Sequence, residues 1–276
     1  MTEEHPNGSR ETTTLRELRS MHDEFQRFLL SYKFGSDEMM TKVNILKEEF
    51  ELVHDYSPIE HVSSRLKSPE SILEKAQRRH IPLSLKEIGA HIRDIAGVRI
   101  TCSFISDTYW IRDMLLAQDD VTVVEAKDYI EEPKSNGYRS LHLLIEVPVF
   151  TSRDVQQVPV EVQIRTSAMD FWASVEHKIF YKYHGEVPST LREELRQAAA
   201  VAHQLDEKME SLHREVRSLQ PDPGGGQVNE GILDQELSEE LLRAFASPGD
   251  TDSGRSASPT VLDEGPIQHR TLDKEN

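Results

Sequence analysis

Three stretches of the chain alternate apolar and polar residues, and this period of two constrains the fold more than any other feature. In VRITCSF (98–104), Val98, Ile100, Cys102 and Phe104 are apolar, while Arg99, Thr101 and Ser103 are polar. In YRSLHLLIEV (138–147), Leu141, Leu143, Ile145 and Val147 share one face, and Tyr138, Ser140 and His142 share the other. In VPVEVQIR (158–165), Val160, Val162 and Ile164 oppose Glu161, Gln163 and Arg165. Successive side chains of a strand point to opposite sides. The three runs therefore predict a sheet with one apolar and one polar face. Exposure of one side of an antiparallel sheet accounts for polarity alone. The composition of this face goes further: a carboxylate, an amide, an imidazole and guanidiniums are a set able to hold metal and nucleotide.

The rest of the chain supplies helices and one more strand. Leu15, Leu18, Met21, Phe25, Phe28 and Leu29 recur at helical spacing, as do the apolar residues of 39–53, and Ser57-Pro58 stops the second segment. HVSSRL (61–66) reads as extended, and Ser68-Pro69-Glu70 opens a helix with proline near its first position. A helix over 107–117, a strand over VTVVEAKDYI (121–130) and a helix over 167–183 follow. After Pro188, the residues Leu191, Leu195, Ala198, Ala202, Leu205, Met209, Leu212, Val216 and Leu219 form a heptad seam. It is read either as a long helix lying on its own domain or as a subunit contact. PDPGGG (221–226) ends that helix. The expected organisation is a disordered terminus at 1–13, a domain at 14–187, a heptad-patterned helix at 188–220 and a disordered acidic tail at 221–276.

Charge narrows the partners. The net charge of −17 argues against duplex DNA, and nearly half of it sits in 218–276, with twelve acids and four bases. The window 65–79 runs the other way: Arg65, Lys67, Lys75, Arg78 and Arg79 face only Glu70 and Glu74. A local basic cluster in an acidic chain fits a small anion better than a polymer. No apolar run approaches the roughly 20 residues of a membrane helix, and the N-terminus has no secretory pattern. The single cysteine, Cys102, fits a reducing compartment and a buried strand position.

Two segments carry candidate chemistry. In EEPKSNGYRSLHL (131–143), Asn136-Gly137 predicts a two-residue hairpin of type I′. Beside it, Tyr138 offers a ring for a base and Lys134 a charge for phosphate. In SSRLKSPESILEKAQRR (63–79), Arg65 and Lys67 lie on the extended piece, and Ser71 and Lys75 share a helix face one turn apart. The helix start near Pro69 adds free N–H groups. There is no G-x-x-x-x-G-K-[ST], so phosphate binding of the P-loop kind is excluded. Asp94 precedes the first alternating strand and, with Glu161, would complete a Mg²⁺ site of hard oxygens. The pairs His22-Asp23 and His54-Asp55 read as surface residues of helices.

Taken in order, RLKSPESILEK, RDIAGVRITCSF, PKSNGYRSLHL, VEVQIRT and DFWASVEHKIFYK resemble the synthetase domain of RelA/SpoT homologues over about residues 40–185. The short length resembles a stand-alone small alarmone synthetase, a GTP pyrophosphokinase. The resemblance implies an α+β fold, a mixed and mostly antiparallel sheet flanked by helices and akin to nucleotidyltransferases. It implies transfer of the β,γ-pyrophosphate of ATP to the 3′-hydroxyl of GTP or GDP, giving pppGpp or ppGpp and AMP, with Mg²⁺, in the cytoplasm. By the same resemblance, Arg65 and Arg99 sandwich adenine, and Lys67, Ser71 and Lys75 hold the ATP phosphates. Asp94 and Glu161 bind Mg²⁺, and Glu161 accepts the ribose proton. Tyr138 stacks on guanine, with Lys134, Asn136, His142 and Gln163 around the acceptor. Assembly into a homo-oligomer, a tetramer in many relatives, is expected. The competing expectation is a catalytically silent module that binds guanine nucleotide or single-stranded RNA.

Overall fold

The computed structural model describes residues 7–53, 56–182 and 187–219. His54-Asp55 and the acidic tail lie outside the described residues. The element order is α1 (Asn7–Val53), β1 (Ile59–Leu66), α2 (Pro69–Arg78), α3 (Leu85–His91), β2 (Ala96–Cys102), α4 (Ile105–Leu116), β3 (Thr122–Asp128), β4 (Leu141–Phe150), β5 (Val155–Thr166), α5 (Ser167–Lys182) and α6 (Ser189–Leu219). The fold is α+β.

The five strands form one sheet in the order β1-β2-β5-β4-β3. Three neighbouring pairs are antiparallel, and only β2 and β5 run parallel. A parallel pair needs a long crossover. Here that connection includes α4 and the β3-β4 pair.

Each predicted alternation appears as a buried apolar face, while the polar face is partly accessible at Arg99, His142, Glu161 and Gln163 and buried at Thr101, Ser140 and Arg165. Val98, Ile100 and Cys102 of β2, Leu141 to Val149 at every second position of β4, and Val158, Val160, Val162 and Ile164 of β5 are all buried. This face is covered by α1, which packs against β1, β2, β4 and β5, and by α4, which packs against β2 and β5. The two helical segments expected near 15–29 and 39–53 form the single helix α1. Its Gly35 lies so close to β5 that an added Cβ would stand 2.5 Å from Val158 Cγ1.

The heptad seam divides. Leu195, Ala199 and Asp206 of α6 are buried against the rest of the chain. Trp172 Nε1 of α5 donates to Leu195 O at 2.9 Å, and Thr166 Oγ1 donates to Asp206 Oδ2 at 2.8 Å. Farther along, Glu210 accepts from Ser106 N at the start of α4. Leu205, Met209, Leu212, Val216 and Leu219 stay exposed. The docked face of α6 is thus offset by one residue from the outer part of the seam, which the monomer leaves uncovered.

Candidate active site

Strand register arranges the polar face into rows. Antiparallel pairing sets Arg65 opposite Gly97, and parallel pairing sets Gly97 beside Glu161. Glu161 in turn faces Leu144, which faces Glu125. The next row reads Ser63, Arg99, Gln163, His142 and Lys127. Gly97 is the one position of the first row without a side chain, which opens a hollow between Arg65 and Glu161.

Two concavities meet at Glu161. The smaller, about 120 Å³, is lined by Arg65, Gly97, Arg99, Glu161 and Gln163 among others. The larger, about 560 Å³, is lined by Lys75, Arg79, Asp94, Lys127, Tyr129, Lys134, His142 and Glu161 among others. Glu161 is thereby the wall shared by two pockets with different linings. The smaller offers two guanidiniums; the larger adds a ring, ammonium groups and an imidazole to the Arg79 guanidinium.

The basic motif is built as its sequence predicts. Ser68 caps α2, accepting from Ser71 N at 3.3 Å, and Pro69 opens the helix. Lys67 follows β1 and Lys75 sits in the last turn of α2, and both reach Asp94. Lys67 Nζ lies 2.6 Å from Oδ2 and Lys75 Nζ 2.7 Å from Oδ1. Burial acts to raise the Asp94 pKa, but the two ammonium groups outweigh it and hold the carboxyl at about 2. Burial pulls the Lys75 ammonium below its ordinary range, against the support of Asp94. Asp94 Oδ1 is buried and has the ion pair but no hydrogen bond, so lone-pair capacity remains there. Ser71 is exposed in the first turn of α2.

Glu161 is held from both sides. Gln163 Nε2 donates to Oε2 at 2.9 Å, and His142 Nδ1 lies 3.7 Å from Oε1. Burial raises its pKa, while His142 and Gln163 lower it by more, so the net displacement is downward. The Asp94 charge acts on Glu161 in the opposite sense, so the two carboxylates feel one another. Two hard-oxygen groups facing one cleft fit Mg²⁺, which usually takes its other ligands from phosphate and water. Among the described residues no set of three His, Cys, Asp or Glu gathers at one point.

The loop before β4 departs from the hairpin expectation. Strand β3 ends at Asp128 and β4 begins at Leu141, so a long loop separates them. Gly137 N donates to Lys134 O at 2.8 Å, closing a turn with Ser135 and Asn136 at its centre. A type I′ turn needs positive φ at both central residues. Here positive φ occurs at Gly137, the last position, with φ 89°, and not at Asn136. Asn136 Oδ1 accepts from Tyr138 N at 3.1 Å, and its Nδ2 donates to Glu176 of α5 at 3.2 Å. Asn136 therefore ties the loop to α5 and lines neither pocket at Glu161. Gln163 lines the smaller pocket beside Arg65 and Arg99, and not the larger one with Lys134.

Tyr138 joins this arrangement through its hydroxyl, 2.6 Å from His142 Nε2. Lys134 Nζ stands 4.7 Å from the Tyr138 ring centroid and 4.5 Å from that of Tyr129. An ammonium thus rests on two aromatic surfaces, a favourable contact for a cation. Tyr129, Lys127 and Arg79 are absent from the sequence-based set. Glu125, Lys127 and Tyr129 alternate along VTVVEAKDYI, the signal that places Lys127 and Tyr129 on the polar face. His22 and Asp23 are exposed on α1, as expected.

Comparison with known proteins identifies the family. A family profile described as "Region found in RelA / SpoT proteins" matches residues 64–186. The chain is 50% identical over 204 residues to GTP pyrophosphokinase YwaC of Bacillus subtilis, covering 74% of this chain and 97% of that protein. It is 43% identical over 197 residues to GTP pyrophosphokinase YjbM of the same organism, covering 71% and 92%. Among solved structures, the small alarmone synthetase 1 from Bacillus subtilis bound to its product pppGpp aligns with a TM-score of 0.66 at 42% identity, over 70% of this chain and 98% of that one.

Proposed function

Since the chain belongs to the RelA/SpoT family, we propose that it is a GTP pyrophosphokinase of the small alarmone synthetase type. It moves the β,γ-pyrophosphate of ATP to the 3′-hydroxyl of GTP or GDP, releasing AMP and pppGpp or ppGpp. The observation that carries this reading is the position of Glu161 as the common wall of two pockets. ATP takes the side of Arg65 and Arg99, whose guanidinium planes hold adenine. Its phosphates extend toward Lys67, Lys75 and the N-terminal turn of α2 with Ser71. The acceptor takes the larger pocket, with Lys134 and His142 beside the sugar and phosphates, and guanine reaches past its edge to Tyr138, which lines neither pocket but contacts both of these residues. Lys134 vacates the Tyr138 ring as the base arrives.

Pyrophosphoryl transfer asks for alignment and charge neutralisation more than for covalent help. Asp94 and Glu161 would hold Mg²⁺, whose charge would neutralise phosphate. Glu161 also accepts the proton of the 3′-hydroxyl. Its lowered pKa keeps it ionised at neutral pH but makes it a modest base, so orientation by Gln163 and His142 carries more of its effect than basicity. Asn136 builds the acceptor loop, and Gln163 orients Glu161 between the nucleotides. A cytoplasmic location and self-assembly through the exposed seam of α6 belong to the same reading.

Incubation with γ-labelled ATP, Mg²⁺ and GTP or GDP tests it. Label recovered in a guanosine penta- or tetraphosphate is the expected result. Unchanged ATP together with tight nucleotide binding overturns the enzyme reading in favour of a silent module. Glu161→Gln is expected to abolish transfer while leaving most nucleotide binding.

A further inference from the structure

One buried cation on the polar face has no task in the mechanism. Arg165, two positions beyond Gln163 on β5, is 4% exposed. A guanidinium buried to that degree must have its donors used, and each of its nitrogens has a partner. Nε donates to Ser140 Oγ at 3.3 Å. Nη2 donates to Gln163 Oε1 at 2.7 Å and to the Tyr138 hydroxyl. Nη1 donates to Asp170 Oδ1 at 3.1 Å. Its Cζ also lies 5.0 Å from the Tyr138 ring centroid.

Asp170, in the first turn of α5, does a second thing with the same oxygen. Arg99 Nη1 lies 3.2 Å from Asp170 Oδ1, so Arg99 and Arg165 share one acceptor. The Nε of Arg99 is buried without a hydrogen-bond partner. A path of direct contacts therefore runs from Arg99 through Asp170 and Arg165 to Tyr138. A branch leaves it through Gln163. With Oε1 committed to Arg165, the Gln163 amide has only its nitrogen to turn toward Glu161, and that bond is the one present.

We propose that Arg165 and Asp170 are positioning residues that tie the donor-side Arg99 to the acceptor-side Tyr138, so that filling one nucleotide pocket raises affinity for the other. The proposal rests on the reading of Arg99 as facing ATP and Tyr138 as facing the guanine nucleotide. When Arg99 turns onto adenine, the shared oxygen is left to Arg165. Arg165 is then held more firmly against the Tyr138 hydroxyl and the Gln163 amide. Each nucleotide thus has a different set of contacts to gain in the presence of the other, which is what a coupling between sites requires.

Calorimetry reads the relay without turnover. The affinity of the intact protein for GTP is measured with and without a non-hydrolysable ATP analogue, for the unaltered chain, Asp170→Asn and Arg165→Lys. The analogue is expected to tighten GTP binding to the unaltered protein by about 5-fold or more, the lower range of typical couplings. In Asp170→Asn that factor falls to near one, although Asp170 lines neither pocket at Glu161. Asp170→Glu restores part of it, and Arg165→Lys combined with Asp170→Asn is no worse than the more damaging single change. A full coupling factor retained by a folded Asp170→Asn protein overturns the relay, as does an unaltered protein with no coupling. Where Arg165→Lys fails to fold, Asp170→Asn and Tyr138→Phe, which removes the hydroxyl at the end of the path, decide the matter. Failure to form labelled alarmone would instead strike the enzymatic reading and leave these binding measurements interpretable.

Discussion

Gly137 joins the acceptor loop to α6, and its replacement by alanine has a calculable outcome. Two effects add. The backbone there has φ 89°, a region that an L side chain enters at about 1–2 kcal/mol. The new Cβ would lie 2.5 Å from Ala199 Cβ on α6, against about 3.5–4.0 Å for an ordinary carbon contact. Loop and helix must separate by roughly 1 Å, and overpacking of this kind typically costs about 1–3 kcal/mol. Gly137→Ala should therefore lose about 2–5 kcal/mol. For a domain of this size that is a fall in Tm of about 4–20 °C by circular dichroism. The same displacement moves Tyr138, so the KM for the guanine nucleotide should rise more than that for ATP. Ala199→Gly separates the two effects. Alone it costs about 1 kcal/mol of helix propensity. In the Gly137→Ala background it removes a collision of about 1–3 kcal/mol at that same propensity cost, so the net recovery should be about 0–2 kcal/mol, with the φ strain remaining. Strictly additive losses in this double-mutant cycle would refute the contact between loop and helix.

Three further outcomes are expected. Gly35→Ala should destabilise the protein by about 1–3 kcal/mol in chemical denaturation, although alanine is the better helix former, because its Cβ would collide with Val158 of β5; Val158→Ala should relieve part of the loss. Burial lifts the Asp206 carboxyl to about 6, above its unfolded value, so its stabilising contribution is present at acid pH and is lost as pH rises through about 6. Asp206→Asn should then gain on the unaltered protein by up to about 3 kcal/mol at pH 8, with the gap closing toward pH 4; a gap independent of pH would contradict this account. Leu212→Glu, on the uncovered seam of α6, should lower the mass measured by light scattering while leaving the far-ultraviolet spectrum unchanged.

Legibility of the sequence followed the range of the interactions. Faces of β2, β4 and β5 were legible because alternation is a local property. The cap of α2 was legible because Ser68-Pro69 acts within one turn. Asn136-Gly137 misled because the dipeptide has more than one use. Its glycine takes the last position of a turn pressed on α6, and its asparagine reaches α5, neither of which a local rule foresees. The same holds for α1, where Gly35 fits a close approach to β5 that breaks no helix. Arg165 was visible on the polar face, but its role depends on Asp170 at the start of α5. Register placed Gly97 between Arg65 and Glu161, and register is set by the assembled sheet.

An acidic chain that handles two polyanions faces an electrostatic difficulty, and the resting site indicates how it is met. Four of the cations assigned to a phosphate or a base, Lys67, Lys75, Arg99 and Lys134, already have an internal partner. Asp94 occupies Lys67 and Lys75, Asp170 occupies Arg99, and the rings of Tyr129 and Tyr138 occupy Lys134. Binding of substrate is then an exchange of partners and not the filling of bare charges. Exchange keeps the empty cleft from accumulating unpaired positive charge at low dielectric, where it would be costly. It also links events in time. On the proposed assignment, Lys67 and Lys75 would release the oxygens of Asp94 as they turn to phosphate, adding to the capacity already open on Oδ1, so that seating the donor would favour a divalent cation at the carboxylate pair. On the proposed assignment, a site built this way would gain its full electrostatic strength when both nucleotides are present, the condition under which transfer is productive.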